Sequence, residues 1–191
     1  LSTFSFYLFG VSDFAYRLPS FLFSIIGLFA TYHLAKRLYN KNIALLSILI
    51  LAHCQAWFLF NHDVRTDTLL AASVITAIWQ LVAYIDTEKY KYLVGSSFFL
   101  ALAMLAKGPI GLMLPVLALG SHFLLKRQWH IFVKWQWFLV FVLVMLFLLP
   151  MLLGLYQQFG WHGIQFYFWE QSFGRITCLL YTSDAADDSG C

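Results

Sequence analysis

The sequence predicts an all-α protein that crosses the membrane several times, and two observations lead to this prediction. First, 61% of the residues are hydrophobic and only 11% are charged, whereas soluble domains carry roughly 25% charged residues. A chain of 191 residues cannot bury so much apolar surface in its own core, so lipid must be the solvent for much of it. Second, the apolar residues fall into runs close to the ~20 residues that span a bilayer as a helix.

Six apolar segments are expected to be the membrane spans of a partial membrane domain that covers residues 1–177. They are 18–35, 43–60, 68–85, 92–106, 109–125 and 133–155. The fourth and fifth segments are short and are separated by Gly108-Pro109, where an ideal helix cannot continue. This break predicts a tight hairpin of two spans, with short core helices as the alternative.

The stretch "FGVSDFAYRLPS" (9–20) precedes the first span. Gly10 allows a turn, Arg17 sits at the interface, and Pro19 suits the first turn of a helix. The pattern predicts an interfacial helix that leads into the membrane.

The distribution of Lys and Arg predicts the orientation of the chain, because cytoplasmic loops are enriched in these residues. Eight of them lie in three alternate loops: Lys36, Arg37, Lys41, Lys89, Lys91, Lys126, Arg127 and Lys134. Four lie on the other side: Arg17, Arg65, Lys107 and Arg175. The first set is therefore predicted to be cytoplasmic, and the outward regions are 1–17, 61–67, 107–109 and everything after 156.

The predicted outer face also collects most of the acidic residues. Besides its four basic residues it holds Asp13, His62, Asp63, Asp67, His162 and Glu170. Charges of both signs at one membrane face are what a site for an anionic, lipid-attached substrate requires. The alternative is that these residues only anchor helix ends and form ion pairs with each other. This alternative explains any single one of them.

The most concentrated charges occur in "NHDVRTDTLL" (61–70), at the predicted start of the third span. A carboxylate at a helix N-terminus satisfies free backbone N–H groups and complements the macrodipole, which explains Asp67 alone. It does not explain Arg65, or Asp63 and His62 beside it. An Arg–Asp pair at the lipid–water boundary can hold a phosphate on Arg and orient a hydroxyl or water on Asp.

Two further outer motifs carry charge among aromatic or turn-forming residues. "LAKGPIGLMLP" (105–115) places Lys107 at the Gly-Pro break, and "FYFWEQSFGRIT" (166–177) alternates aromatics with Glu170 and Arg175. Such an aromatic and charged surface suits contact with both lipid and headgroup.

Together with 9–20 and "RTDTLL", these motifs resemble the lipid-linked-sugar transferases of the GT-C superfamily. The resemblance covers nearly all of residues 1–177, and the order and spacing of the motifs make it specific. Within the superfamily the chain is similar to bacterial enzymes of the lipid A aminoarabinose transferase kind, which belong with the dolichyl-phosphate-mannose–protein mannosyltransferases.

The resemblance implies a helical membrane glycosyltransferase of the bacterial inner membrane whose active site faces the periplasm. It implies a polyprenyl-phosphate-linked sugar donor and an acceptor on lipid A, glycan or protein. Asp67 and Arg65 match the family's Arg-x-Asp motif as catalytic residues. Arg175 and, more weakly, Lys107 match residues that hold the carrier phosphate, although the Lys-Gly-Pro motif has a structural alternative. The family's first catalytic loop would precede residue 1, so we expect this chain to be inactive by itself.

Inverting transfer uses a carboxylate to deprotonate the acceptor while the polyprenyl phosphate leaves. Arg or a divalent metal would stabilise the leaving charge, and no other cofactor is implied. The metal is left open, because the spacing of the outer-face His, Asp and Glu residues is not diagnostic. A net charge of +3 excludes a basic nucleic-acid surface. A transporter or a non-catalytic membrane assembly protein is the alternative function.

The two ends of the sequence and its three cysteines each support a further prediction. The chain begins at Leu1, so we expect sequence upstream, and residues 178–191, with "LLYTSDAADDSGC", are predicted to be a non-native tail. Cys54, Cys178 and Cys191 have no metal-ligand spacing, and Cys54 is predicted to be a buried free thiol.

Overall fold

The computed structural model describes residues 5–7, 10–54, 66–127 and 135–169, and within these ranges it contains helices and no strand. The predicted all-α fold class is therefore confirmed. Six helices exceed ten residues: α1 (Asp13–Leu38), α2 (Lys41–His53), α3 (Thr66–Thr87), α4 (Tyr90–Lys107), α5 (Ile110–Leu125) and α6 (Gln136–Gln165). Residues 166–169 continue α6 as one π-helical turn.

Three helical stretches in the described part of the chain are long and apolar enough to cross a membrane: Asp13–Leu38, Thr66–Thr87 and Gln136–Trp169. Helices α2 and α5 are apolar but shorter. Each of the six predicted segments overlaps one helix, although residues 55–60 of the second segment lie outside the described residues. The number of membrane crossings stays a prediction.

Helix α1 begins earlier than its sequence predicts. The Ser12 side chain accepts a hydrogen bond of 3.2 Å from the Ala15 amide and caps the helix, and Asp13 lies in the first turn. An acceptor at the cap and a carboxylate in the first turn both stabilise a helix start. Pro19 consequently lies inside α1, so its predicted place in the first turn is wrong.

Helices α3 and α4 form the centre of the bundle. They pack against each other more extensively than any other pair, and α3 also contacts α1. Small buried side chains line the two helices: Ala72, Ser73, Thr76, Ala77, Ser96, Ser97, Ala101 and Ala103. Small residues let helix backbones approach closely where lipid removes the hydrophobic drive for association.

Helices α4 and α5 form a tight hairpin at the predicted Gly-Pro break. Gly108 has φ of 72°, a region that L side chains rarely adopt, and its amide donates to the Met104 carbonyl. Pro109 then starts α5. A Cβ on Gly111 would lie 2.5 Å from the backbone of Ala103, so only glycine permits this approach of the two helices.

Helix α6 extends well beyond its predicted end at 155. The chain is helical through 165 and kinks at Gly160, where φ is 61°. The outward loop predicted after 156 is therefore wrong for the described residues, which remain helical to 169. Gly160, with φ of 61° and ψ of −148°, is a non-helical kink that separates two consecutive helical stretches of α6.

The outer surface of the bundle is strongly apolar. Exposed fractions reach 55% for Phe21, 72% for Ile50 and 55% for Leu146. Contiguous apolar surface of this kind marks contact with lipid. The chain is an integral membrane protein.

Cys54 is exposed just after the end of α2. The prediction of a buried thiol is wrong, because the helix ends at His53 instead of carrying Cys54 into packed structure. Cys178, Cys191 and the predicted tail 178–191 lie outside the described residues.

Candidate functional site

Asp67 and Lys107 form an ion pair at one end of the bundle. Asp67 is in the first turn of α3, and Lys107 is the last residue of α4. Because α3 and α4 are antiparallel neighbours, the start of one lies beside the end of the other. The two side chains are 29% and 33% exposed, so a ligand at the surface can reach both charges.

Each charge of this pair also complements the helix that carries it. The N-terminus of α3 has a partial positive charge that favours the Asp67 carboxylate, and the C-terminus of α4 favours a cation. The fold therefore holds both ionised groups in place before any ligand binds. A positioned cation and a positioned carboxylate are the groups that phosphate binding and proton transfer require.

The Gly108-Pro109 turn fixes the position of Lys107. The chain reverses directly after Lys107, and Gly111 packs against the backbone of Ala103 one turn below it. Packing against α5 therefore fixes the position of the end of α4.

A hydrogen bond from the turn after α6 holds the same end of α4 in place on its other side. The Tyr167 hydroxyl donates to the Met104 carbonyl at 2.8 Å, and that carbonyl also accepts from the Gly108 amide at 2.6 Å. Tyr167 is only 4% exposed. The end of α4 that carries Lys107 is therefore tied to the π-helical turn that follows α6.

A groove of about 630 Å³ lies between the end of α4 and the kinked part of α6. Its lining residues are mostly apolar: Leu105, Met151, Leu155, Phe159, His162, Gly163, Phe166 and Tyr167. Leu105 lies two residues before Lys107, so the groove is at the same end of the bundle as the ion pair. Residues two positions apart on a helix do not share a face, so the groove and the ion pair lie on different sides of α4. An apolar groove and exposed charges at one end of the bundle suit a ligand with a lipid chain and an anionic head.

A second ion pair lies at the opposite end of the bundle. Arg37 Nε is 3.3 Å from Asp86 Oδ2, which joins the C-terminal ends of α1 and α3. These two helices are therefore parallel. The loops that the charge pattern groups together, at 36–42 and 86–92, share this end. Which end faces the cytoplasm stays a prediction.

The structure brings together two of the four predicted site residues, Asp67 and Lys107. Arg65 and Arg175 lie outside the described residues, as do His62, Asp63 and Glu170. In the described part of the chain no group of three His, Cys, Asp or Glu side chains could hold a metal ion. His162 lines the groove.

Sequence reasoning missed two features of this site. It paired Asp67 with Arg65 and did not predict the contact with Lys107. The available signal was that both charges lie at the ends of consecutive helices, on the same predicted side. It also gave Tyr167 no role beyond an aromatic of the interface.

A family model of dolichyl-phosphate-mannose-protein mannosyltransferases matches residues 1–153. No curated protein and no solved structure matches the chain significantly. The match contains Asp67, Lys107 and the Gly108-Pro109 turn that follows Lys107. The chain belongs to this family, which is a family of membrane glycosyltransferases of the GT-C kind.

Proposed function

We propose that this member of the mannosyltransferase family acts in sugar transfer from a polyprenyl-phosphate carrier to an acceptor outside the cytoplasm. The partly exposed Asp67–Lys107 ion pair, at the same end of the bundle as the apolar groove, is the observation that carries this proposal. An ion pair alone does not point to such a donor, and neither does a groove alone. A polyprenyl-phosphate sugar has an apolar chain that fits the groove and a charged phosphate that fits the cation of the ion pair.

In this proposal Lys107 and Arg175 bind the carrier phosphate, and the groove receives the first part of the isoprenoid chain. Leu105 of α4 and Tyr167, in the turn after α6, line the groove, and Leu105 is two residues before Lys107. A cation that contacts the phosphate stabilises the charge that develops on it during transfer. A divalent metal at the phosphate is the alternative to Arg175.

The reaction is a substitution at the anomeric carbon. The acceptor oxygen forms a bond to that carbon while the bond from the carbon to the carrier phosphate oxygen breaks. The electron pair of the broken bond leaves with the polyprenyl phosphate, and the acceptor proton passes to a carboxylate. No nucleotide takes part in these steps.

Asp67 and Arg65 act on the acceptor side in this proposal. When the carrier phosphate binds Lys107, it competes with Asp67 for the ammonium group. The carboxylate is then available to orient the acceptor hydroxyl or to accept its proton. Donor binding in this way prepares the site for the acceptor.

The acceptor and the cellular setting follow from the sequence resemblance. Lipid A, a glycan or a protein supplies the hydroxyl or phosphate. The excess of Lys and Arg in alternate loops, eight against four, supports a site on the periplasmic side of a bacterial inner membrane.

A transporter is the competing function for a bundle with charged residues. Transport pathways place ionisable groups inside the membrane. In the described helices Asp67, Lys107, Arg37 and Asp86 all lie within two residues of a helix end. This distribution favours chemistry at the interface, in agreement with the family.

The test uses membranes from cells that express the complete reading frame containing this chain. A radiolabelled polyprenyl-phosphate sugar is supplied, and the label transferred to lipid, glycan and protein is measured separately. Lys107→Gln should reduce transfer about tenfold or more, since it removes a charge-assisted contact. Lys126→Gln, at the other end of the bundle, is the matched control and should leave transfer unchanged. Equal transfer by both variants would refute the site.

A further inference from the structure

A cavity of about 280 Å³ opens at the end of the bundle opposite the Asp67–Lys107 pair. It lies between the last turns of α1 and α3 and the first turn of α4. Its lining residues are His33, Lys36, Arg37, Trp79, Ala83 and Tyr92. Five of these six side chains carry a polar group, whereas the groove near Lys107 is mostly apolar.

The cavity concentrates hydrogen-bond donors. Lys36, Arg37, the Trp79 indole and the Tyr92 hydroxyl each supply at least one donor. The recorded ion pair of Arg37 engages Nε with Asp86, and a guanidinium carries five N–H groups in all. Hydrogen bonds from Arg and Lys side chains to phosphate or carboxylate oxygens are charge-assisted and about twice as strong as bonds between neutral groups.

The local charge is positive. Lys91 adds a third cation, with its Nζ 5.1 Å from the centre of the Tyr92 ring. Two carboxylates stand nearby, Asp86 in its ion pair and Glu88 in the α3–α4 turn. Lys89 lies next to Glu88 in the same turn. Four cations against two carboxylates leave two positive charges to attract an anion.

Aromatic rings hold the wall of the cavity in place. The His33 ring lies 5.2 Å from Trp79 and 4.3 Å from Phe29, measured between ring centres. Lys36 Nζ is 5.9 Å from the centre of the Tyr32 ring. Trp and Tyr beside Lys and Arg is the combination that anchors a helix end at the headgroup level of a bilayer.

The basic residues in the last turn of α1 can be explained by their favourable interaction with the helix dipole. That explanation does not account for the cavity. Lys36 and Arg37 would serve that purpose on any exposed face. Here they share a polar cavity with an indole and a phenol from two other helices. Basic pockets between membrane helices are sites for anionic lipid headgroups.

We propose that this cavity binds the phosphate group of an anionic phospholipid headgroup, at the membrane face opposite the transfer site. Lys36 and Arg37 contact the phosphate oxygens, and Trp79 and Tyr92 donate to the remaining headgroup oxygens. This site is separate from the transferase proposal and does not depend on it. A bound lipid here would cross-link α1, α3 and α4.

The test is native mass spectrometry of the 191-residue chain in detergent, titrated with phosphatidylglycerol, with phosphatidylcholine, or with inorganic phosphate. The wild-type chain should retain phosphatidylglycerol in preference to phosphatidylcholine. The double variant Lys36→Gln/Arg37→Gln should bind phosphatidylglycerol at least about tenfold more weakly, because it loses two charge-assisted contacts. The matched control, Lys41→Gln/Lys126→Gln, removes the same charge at the same end outside the cavity and should bind as the wild type does.

Two outcomes overturn the proposal. Equal weakening in the cavity variant and the control variant would show that total charge, and not this cavity, attracts the lipid. Competition by inorganic phosphate at the affinity of phosphatidylglycerol would assign the site to the free ion. If the double variant loses helicity by circular dichroism, the single variant Lys36→Gln is tested in its place. Lys36→Arg, which keeps the positive charge, should then bind phosphatidylglycerol as the wild type does.

Discussion

The Tyr167 hydroxyl donates a 2.8 Å hydrogen bond to the carbonyl of Met104, a residue 63 positions earlier in the chain. Met104 lies near the end of α4, and its carbonyl also accepts from the Gly108 amide at 2.6 Å. The Tyr167 hydroxyl therefore adds a second hydrogen bond to this carbonyl and joins two helix ends that are distant in sequence. It connects the kinked part of α6 to the turn that carries Lys107.

Replacing Tyr167 by Phe tests the value of this connection. The variant keeps the ring but loses the hydroxyl, and the Met104 carbonyl still accepts from Gly108. We expect a loss of about 0.5–1.5 kcal/mol in the free energy of unfolding, measured by titration with a denaturing detergent. Tyr156→Phe is the control, because Tyr156 is 56% exposed, and its stability should not change. Identical stabilities of the two variants would deny the bond a role.

Asp67→Asn separates the proposed chemistry from the structural role of this residue. Asn keeps the size of Asp, and the charge of Asp67 in the first turn of α3 contributes only about 0.3–1 kcal/mol through the helix dipole, so the variant should fold and express like the wild type. A partly exposed ion pair stabilises a protein by only about 1 kcal/mol or less. Transfer from the polyprenyl-phosphate sugar should nevertheless fall in the membrane assay. If Asp67→Asn transfers at the wild-type rate, Asp67 is only a helix-end residue and the catalytic assignment is wrong.

Arg175→Ala tests the second residue proposed to hold the carrier phosphate. Removing a charge-assisted contact of about 1.5–3 kcal/mol predicts a tenfold to hundredfold loss of transfer. Arg175→Lys keeps the charge but not the bidentate geometry and should lose less activity. Equal transfer rates for the wild type, Arg175→Ala and Arg175→Lys would show that Arg175 does not bind the carrier phosphate.

The hairpin of α4 and α5 predicts opposite outcomes for two glycines of the same helix. Gly111→Ala places a Cβ 2.5 Å from the Ala103 backbone, and such overpacking costs about 1–3 kcal/mol. Gly120→Ala meets no atom within 4 Å and should be neutral or slightly stabilising. Thermal unfolding in detergent distinguishes them, and equal melting temperatures would contradict the close approach at Gly111.

The orientation predicted from Lys and Arg is tested by labelling. Single cysteines at positions 63 and 89 are introduced into a variant that lacks the native cysteines. A membrane-impermeant thiol reagent added from outside should modify position 63 and spare position 89. The reverse pattern would invert the topology, and with it the side assigned to the transfer site.

The helical class and the order of the elements were predictable because apolar run length alone limits what a lipid-embedded chain can form. The α4–α5 turn was predictable too, since Gly108-Pro109 permits little else. The start of α1 was not, because Pro19 suits a first turn and the stronger signal, the cap at Ser12, was overlooked. Cys54 was misassigned because apolar neighbours in a membrane protein predict lipid contact as readily as burial.

The candidate site was only half predictable for a different reason. Asp67 and Lys107 were recognised as residues of one membrane face, but a sequence does not state which helix ends touch. Their contact depends on the close packing of α3 against α4. The position of Tyr167 depends on the kink at Gly160, which a periodic apolar pattern does not reveal.

The hydroxyl groups between α3 and α4 bear on how the chain enters the bilayer during synthesis. Thr76 donates to the Ala72 carbonyl, and Ser96 and Ser97 both donate to the Leu93 carbonyl, each within its own helix. These three hydroxyls need no partner from another helix when the chain enters the bilayer, whereas Thr68 and Ser73 of α3 are buried with no hydrogen-bond partner for their hydroxyls. Thr76, Ser96 and Ser97 therefore impose no order on insertion, and the small side chains that line α3 and α4 let the two helices pair closely afterwards.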